Sequence, residues 1–342
     1  MPNPFFFGPR ISDPAQFVGR EKELRTIFAA LETTHTGQLQ HIQITGPRRI
    51  GKSSLLYHAT QIYPQRLLHP EKYRFVYVDL MQANCQTQAG LLSFIMNQLE
   101  IFNPGQPTLV DFQDAIERYR ENRGLYPVLC LDEFEQLTKR RDEFPDAVFE
   151  AWRSLGNASQ TAFLTASQHS LGELIRQGNL TSTFHNIFTP LKLGEYTETE
   201  ARSLLAQNVD RPFTEDEIKK LFKLTRYHPA HLQIGAMLLY DARETPPVDW
   251  DALETEYKER IASMLPVEPL QEKPHWFTQV LQAVFINFPT ALGEFILQLF
   301  KNDTASQRTK AILGWVIILG IIAILVGWLN PLPWITLWLS GK

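Results

Sequence analysis

The sequence predicts an α/β fold: a parallel sheet with crossover helices, then a helical domain, then one C-terminal helix that crosses a membrane. Three observations support this prediction. Apolar segments alternate with helical segments between residues 41 and 193, as in sheets built from βαβ units. Two capping-box sequences, TETE at 197–200 and TEDE at 214–217, open helices after the sheet. Residues 311–329 carry no charge, and at about 1.5 Å per residue they reach roughly the thickness of a bilayer core.

The composition of the 342 residues excludes several classes of protein. Lys and Arg number 33 and Asp and Glu 37, so the net charge is −4, which argues against a surface that binds nucleic acid throughout. The apolar share of 44% is enough for a core and excludes wholesale disorder. The two cysteines, Cys85 and Cys130, make neither a zinc site alone nor a disulfide scaffold, and a reducing, intracellular compartment fits.

Five apolar segments are predicted to be the strands of the sheet: residues 41–45, 74–79, 126–131, 161–165 and 187–193. The fifth contains Pro190, which lacks a backbone donor and therefore suits an edge strand. Ligands of parallel sheets bind at the carboxyl ends of the strands. The side chains expected to gather at that edge are Lys52, Asp79, Asp132 and Thr165.

The first predicted strand leads into the loop GPRRIGKS at residues 46–53, and a helix follows. The loop matches G-x-x-x-x-G-K-[ST], in which glycines let backbone N–H groups point at phosphate oxygens and the helix N-terminus adds a positive dipole. Lys52 is expected to reach the β- and γ-phosphates, and Ser53 to place its hydroxyl on Mg²⁺. The predicted nucleotide-binding residues of this loop are Gly46, Pro47, Arg48, Arg49, Ile50, Gly51, Lys52, Ser53 and Ser54.

The third predicted strand ends in two carboxylates, Asp132 and Glu133. In nucleotide hydrolases with such a loop, the first carboxylate holds the Mg²⁺ shell and the second orients or deprotonates the attacking water. We therefore predict a metal site formed by Ser53 and Asp132. Glu133, Asp132 and Lys52 are the predicted catalytic residues.

Two further roles are less closely defined by the sequence. Thr165, Ser167 and Gln168 are alternative sensors of the γ-phosphate, and Thr165 is included in the predicted site. An arginine that stabilises the transferring phosphoryl group can come from the same chain or from a neighbouring subunit. Arg153 is the candidate included in the predicted catalytic set, and an ordinary solvated helix arginine is the alternative.

Residues 17–24, FVGREKEL, resemble the hhGRExEL box of STAND ATPases, which are related to AAA+ proteins, and of the origin-binding ATPases close to them. The opening at residues 3–21 and the loop at 46–56, GPRRIGKSSLL, are similar to those of many prokaryotic members. The resemblance implies that Val18, Gly19 and Arg20 help to wrap adenine and ribose, and that the nucleotide is ATP. It also implies the strand order 5-1-4-3-2, with the fourth strand between the first and the third.

Residues 226–233, RYHPAHLQ, resemble the G-x-P or G-H-P signature of the STAND helical lid, whose proline packs on the adenine. The resemblance implies that Pro229 is the lid contact, although Tyr227 stands where the family usually has glycine. It covers roughly residues 3–242 and does not extend to the C-terminal tail.

These features predict an N-terminal extension (1–16), a P-loop ATPase core (17–195), a helical lid (196–262), an amphipathic helical linker (263–310), a transmembrane helix (311–329) and an interfacial tail (330–342). Trp315 and Trp328 lie near the ends of the predicted span, where aromatic rings prefer the headgroup level. Lys and Arg residues precede the span, so a single-pass protein is expected at the cytoplasmic face of a membrane, with its N-terminus in the cytoplasm. A buried helix of a soluble protein is the alternative.

The main functional hypothesis is a membrane-anchored STAND/AAA+-like ATPase that binds and slowly hydrolyses ATP with Mg²⁺, as a nucleotide-controlled switch in signalling or defence. Its expected partners are membrane lipid, further copies of the chain on ATP binding, and a separate sensor or effector protein. The alternative is a nucleic-acid-loading AAA+ ATPase. The acidic balance and the lack of a Lys/Arg-rich tract argue against nucleic acid as a partner. A scaffold with a vestigial site is a third hypothesis, which the intact loop and carboxylates oppose.

Overall fold

The computed structural model describes residues 3–8, 10–33, 38–103, 105–207 and 210–264, together with 312, 315, 316 and 318. The chain divides into two units, Met1–Ser263 and Met264–Lys342. The whole sheet and the candidate site lie in the first unit.

The five predicted strands form one sheet, each within two residues of its predicted bounds. They are β1 (His41–Thr45), β2 (Tyr73–Asp79), β3 (Tyr126–Asp132), β4 (Ala162–Ser167) and β5 (Phe188–Lys192). The order is β2-β3-β4-β1-β5, and every pair of neighbours is parallel. Read from β5, this is the order 5-1-4-3-2, so the predicted topology and the edge position of Pro190 are confirmed.

Helices connect the strands and continue beyond the sheet. Those of the core are α1 (Glu21–Glu32), α2 (Lys52–Tyr57), α3 (Gln88–Gln98), α4 (Leu109–Arg123), α5 (Glu135–Thr138), α6 (Asp146–Asn157) and α7 (Leu171–Gln177). Those after β5 are α8 (Glu198–Leu205), α9 (Glu215–Thr225), α10 (Pro229–Ala242) and α11 (Trp250–Met264). The phosphate loop and α2 follow β1, and α8 follows β5. Because β1 and β5 are neighbouring parallel strands, the phosphate loop and the start of the lid lie at the same edge of the sheet.

Two apolar cores pack on opposite faces of the sheet. Successive residues of β3 alternate between them: Leu129 and Leu131 belong to one, and Val128 and Cys130 to the other. All four are fully buried, as expected for a central parallel strand covered by helices on both faces. This burial holds β3 rigid up to its last residue, which is Asp132.

The lid begins with the two predicted capping boxes. The side chains of Thr197 and Thr214 accept hydrogen bonds from the backbone N–H groups of Glu200 and Glu217, whose carboxylates accept from the N-cap residues in return. Both predicted helix starts are confirmed. Between α9 and α10, Tyr227 has φ of +60°, in the left-handed region that favours glycine. The backbone of this turn therefore has the left-handed conformation that glycine favours, although Tyr227 stands where the related family has glycine.

The predicted linker, transmembrane helix and interfacial tail lie almost wholly outside the described residues. Of the predicted span, only residues 312, 315, 316 and 318 are described, and they are helical. Within the described part of the chain, no helix combines the length and the apolar character needed to cross a membrane. The membrane-spanning helix stays a prediction.

Candidate active site

The loop between β1 and α2 has the backbone that its glycines predict. The φ angle is +156° at Gly46 and +101° at Gly51. A Cβ at Gly46 would lie 2.7 Å from the carbonyl oxygen of Leu193, so the chain that follows β5 also requires glycine there. Gly51 is the N-cap of α2, which begins at Lys52. The loop thus opens directly onto a helix N-terminus, an arrangement that binds phosphate.

Lys52 lies at the start of this helix with its ammonium group over the loop. Its Nζ donates to the carbonyl oxygens of Gly46 at 3.0 Å and Pro47 at 2.9 Å. Burial lowers the pKa of Lys52, while the nearby carboxylates of Glu133 and Glu135 favour its charged form. Phosphate oxygens would be stronger acceptors than these carbonyls, because hydrogen bonds between two charged groups are shorter and stronger.

Asp132, at the end of β3, is 5% exposed. Its Oδ1 accepts from Ser53 Oγ at 3.0 Å and from the backbone N–H of Glu133 at 3.1 Å, and its Oδ2 accepts from the Tyr77 hydroxyl at 2.6 Å. Burial raises the pKa of Asp132, and these donors oppose the rise. Burial also raises the pKa of Tyr77, so its hydroxyl keeps its proton and donates. Hydrogen bonds to both of its oxygens therefore hold the Asp132 carboxylate in one orientation.

Glu133 follows with a φ of +56°, a left-handed conformation that is uncommon for a residue with a side chain. Such strain is concentrated at functional sites. Burial raises the pKa of Glu133, and the charges of Glu135 and Asp132 add to the rise. Glu135 also lines the site, and its Oε2 is buried without a hydrogen-bond partner. Two carboxylates are thus available to activate water, of which the sequence analysis named one.

Ser53 and Asp132 fit a magnesium ion, which prefers hard oxygen ligands and keeps several of its waters. The Ser53 hydroxyl and an oxygen of the buried Asp132 carboxylate, 3.0 Å apart, provide such a pair. When bound, the ion would supply positive charge that stabilises the negative charge of the phosphate groups. Among the described residues, no group of three or more His, Cys, Asp or Glu side chains offers another metal site.

Lys52, Ser53, Glu133 and Glu135 line a cavity of about 340 Å³ between the core and the lid, and Asp132 is hydrogen-bonded to Ser53 without lining the cavity itself. The phosphate loop and α2 contribute Arg48, Arg49, Gly51, Lys52, Ser53 and Ser54. The lid contributes Leu204, Pro229, Ala230 and Gln233, and Tyr196 lies just before it. The N-terminal arm, residues 3–17, contributes Phe6, Phe7, Arg10, Ile11 and Phe17. A cavity of this volume, lined by both charged and apolar groups, is of the size of small-ligand sites.

Arg20 lines the cavity but is committed to internal contacts. It is 3% exposed, and its guanidinium donates to the carbonyl oxygens of Ile50 at 3.0 Å and Gly194 at 2.8 Å. It also lies 4.7 Å from the ring centre of Tyr196. Arg20 therefore ties the N-terminal box to the phosphate loop and to the start of the lid. Of the other predicted residues, Pro229 lines the cavity, whereas Val18, Gly19, Gly46, Pro47 and Ile50 lie around it without lining it.

Thr165 and Arg153 lie outside the cavity. Thr165 is fully buried within β4, and its Oγ1 has no hydrogen-bond partner. Gln168, one of the alternatives to it, lies beyond the end of β4 and lines the cavity. Arg153 lies on α6 and pairs with Glu150 at 3.5 Å. Thr165 therefore lies within the packed sheet and Arg153 on the surface of α6, whereas Gln168 is the alternative that lines the cavity.

Several residues of the site were missed by sequence reasoning. They are Arg10, Tyr77, Glu135, Tyr196 and Gln233. Only Arg10 had a sequence signal, since it lies in the opening that resembles related ATPases. The others occur in ordinary strand, helix or loop contexts. Glu135 lines the cavity because it follows Glu133 closely, and Tyr196 and Gln233 line it through the packing of the lid on the core. Tyr77 does not line the cavity and reaches the site through its hydrogen bond to Asp132.

Comparisons with known proteins agree with this geometry. Residues 35–175 match the family model of an AAA domain. The structure of the Aeropyrum pernix ORC2 protein in ADPNP–ADP complexes is 15% identical, with a TM-score of 0.56 over 87% of this chain and 78% of that one. The Walker-type ATPase PABY2304 of Pyrococcus abyssi is 13% identical, with a TM-score of 0.56 over 83% of this chain and 82% of that one.

A third similar structure is the Aeropyrum pernix ORC1 protein in complex with DNA. It is 14% identical, with a TM-score of 0.52 over 85% of this chain and 74% of that one. Among curated proteins, no sequence matches the chain. At such identities the structural likeness shows the fold alone. Residues 35–175 are therefore similar to an AAA domain, and the fold around the phosphate loop is that of a P-loop ATPase.

Proposed function

We propose that the chain binds ATP with Mg²⁺ between its core and its lid and hydrolyses it slowly. The observation that carries this proposal is the convergence of Lys52, Ser53 and Glu133 at one cavity that Pro229 of the lid also lines, with Asp132 hydrogen-bonded to Ser53. The test is nucleotide content and single-turnover hydrolysis by the purified full chain, with and without EDTA. Co-purified ADP and magnesium-dependent turnover support the proposal, and an empty chain that binds no nucleotide contradicts it.

Each residue has a distinct role in this reaction. The phosphate loop and Lys52 bind the phosphates, while Ser53 and Asp132 hold the metal. Glu133 is the base that orients or deprotonates the attacking water, because its raised pKa makes it a stronger proton acceptor than a solvated glutamate. Gln168, beyond β4, is the proposed γ-phosphate sensor. Since Pro229 and the loop line the same cavity, the nucleotide would link the lid to the core, which makes lid position dependent on the nucleotide.

Gln233 on α10 favours adenine over guanine. Its Oε1 is buried, has no hydrogen-bond partner and belongs to a side chain that lines the cavity one helical turn beyond Pro229. In this orientation of the amide, the carbonyl oxygen can accept from the exocyclic amine of adenine, whereas the carbonyl oxygen of guanine could be bonded only by the NH₂ group after the amide turns over. This supports the ATP that the sequence resemblance implies.

Replacing Gln233 with leucine is expected to reduce the preference for ATP over GTP by about 2- to 10-fold, because one neutral hydrogen bond contributes about 0.5–1.5 kcal/mol of binding free energy. The measurement is competition between the two nucleotides for binding. Gln160→Leu is the matched control, because the Oε1 of Gln160 is also buried and unpartnered but lies outside the cavity. An unchanged preference in Gln233→Leu would show that the base is recognised elsewhere.

A second candidate function is nucleic-acid loading, favoured by the fold likeness to the ORC1 protein solved in complex with DNA. If it is correct, duplex DNA raises ATP turnover, and the stimulation falls steeply between 50 and 200 mM salt, because phosphate contacts release counterions. Turnover measured with and without DNA at both salt concentrations tests this. Tight nucleotide retention with no response to DNA would favour the nucleotide-controlled switch.

The finer parts of the main hypothesis keep the status of predictions. Membership of the STAND group, a role in signalling or defence, assembly on ATP binding and location at a membrane rest on the sequence.

A further inference from the structure

The N-terminal arm joins the lid to the core across the cavity. At its start, Asn3 Nδ2 donates to the carbonyl oxygen of Met237 at 2.9 Å on α10. Further along, the backbone N–H of Ile11 donates to Ser54 Oγ at 3.1 Å, and Phe17 stacks on His58 with ring centres 4.0 Å apart. The arm is therefore fixed at both ends, and the residues between them are held over the phosphate loop.

Arg10 lies on this arm and carries an exposed guanidinium at the mouth of the cavity. The guanidinium stacks on two rings, 4.1 Å from the centre of Tyr57 and 4.8 Å from that of Tyr77. Stacking of this kind orients a cation without neutralising it. Within the described part of the chain, Arg10 makes no ion pair with a carboxylate.

The position of Arg10 is tied to the predicted metal site through Tyr77. The ring of Tyr77 supports the guanidinium, and its hydroxyl donates to Asp132 Oδ2 at 2.6 Å. One side chain therefore separates the cation from the carboxylate that would hold Mg²⁺. A triphosphate bound to the loop and the metal would lie in the same cavity that Arg10 lines.

The other candidate arginines are engaged elsewhere. Arg20 is buried and bonded to two carbonyl oxygens, and Arg153 is paired with Glu150 outside the cavity. Arg49, in the phosphate loop, lies 4.3 Å from the ring centre of Phe7. Among the described arginines outside the phosphate loop, Arg10 is thus the one that lines the cavity, is oriented by stacking and makes no ion pair.

We propose that Arg10 is a catalytic residue of this ATPase: a cation supplied by the arm of the same chain, which contacts the terminal phosphate of the bound triphosphate and stabilises its charge during transfer. The inference rests on the proposed function, since it concerns the same site. Arg10 would act as an arginine finger that comes from the same chain, where the stacked tyrosines hold it in position, rather than from a neighbouring subunit.

The test compares Arg10→Gln with the wild-type full chain in two assays. Dissociation constants are measured for mant-labelled ADP and for the mant-labelled non-hydrolysable analogue AMPPNP, both with Mg²⁺. Arg10→Gln is expected to weaken AMPPNP about tenfold and ADP less than twofold, because only the triphosphate reaches Arg10. Single-turnover hydrolysis of ATP is expected to fall at least tenfold, and Arg10→Lys is expected to retain part of the preference for the triphosphate because it keeps the charge.

Arg66→Gln is the matched control. Arg66 stacks on Tyr63 at 4.1 Å, as Arg10 does on Tyr57, but it pairs with Glu21 and does not line the cavity. Equal weakening of both nucleotides in Arg10→Gln, or none, would overturn the inference while the proposed ATPase activity stands. A wild-type chain that binds neither nucleotide would overturn the proposed function and this inference together.

Discussion

Glu133→Gln is expected to lower ATP hydrolysis about 10²- to 10⁴-fold while nucleotide binding is retained, the range for removal of a general base. Glutamine has nearly the same shape as glutamate but cannot accept a proton from water. Glu133 makes no hydrogen bond to the loop that binds the phosphates, so the binding site keeps its geometry. The measurements are single-turnover hydrolysis and the dissociation constant of ATP. The variant should therefore hold ATP rather than ADP when it is purified.

The pH dependence of hydrolysis gives a second check on Glu133. The base must be deprotonated to act, and burial raises its pKa above the value of about 4.3 that a solvated glutamate has. Activity should therefore decline on acidification at a higher pH than a solvated glutamate would require. Glu135→Gln is the comparison, because Glu135 lines the same cavity. A larger loss in Glu135→Gln than in Glu133→Gln would transfer the role of base to Glu135.

Lys52→Ala is expected to remove most nucleotide binding and, with it, hydrolysis. A hydrogen bond to a charged group contributes about 1.5–3 kcal/mol, so the loss of the ammonium group should weaken ATP about 10- to 100-fold. The carbonyl oxygens of Gly46 and Pro47 also lose their donor, which loosens the loop that must hold the phosphates. The measurement is nucleotide affinity together with the amount of nucleotide that co-purifies.

Lys22→Ala is the control for this change, since Lys22 is an exposed lysine on α1 and does not line the cavity. Thermal unfolding of both variants separates a loss of binding from a loss of fold. Full retention of ATP binding in a folded Lys52→Ala variant would contradict the assignment of the loop as the phosphate site.

Local sequence chemistry predicted much of the fold. The strand β1, the glycine-containing loop and α2 follow one another in sequence, so their pattern carries the whole phosphate-binding unit. The capping boxes at Thr197 and Thr214 are also local, because each helix start is encoded within four residues. Asp132 and Glu133 were recognisable because an apolar strand that ends in carboxylates places them at the edge where the loop must lie.

The limits of this reasoning appear at the end of β4. Thr165 and Gln168 are three positions apart, and the sequence does not say where the strand ends or which side chain leaves the sheet. In the structure β4 continues to Ser167, so Thr165 is enclosed between β1 and β3, and Gln168 is free to line the cavity. Because β4 ends two residues later than predicted, a different polar side chain lies where it can contact a phosphate.

By itself, the sequence determined the strand order through its resemblance to a known family. Local patterns in the sequence determined the phosphate loop, the acidic end of β3 and the helix starts of the lid. Only the tertiary structure decided how the arm, β2 and the lid meet around that loop. Tyr77 reaches Asp132 because parallel pairing of β2 with β3 places it opposite Cys130, two residues away on the same face. Arg10 reaches both tyrosines because contacts at Asn3 and Ile11 fix the arm over the cavity. These contacts join residues far apart in the chain, and their geometry is set by packing, which no local pattern encodes.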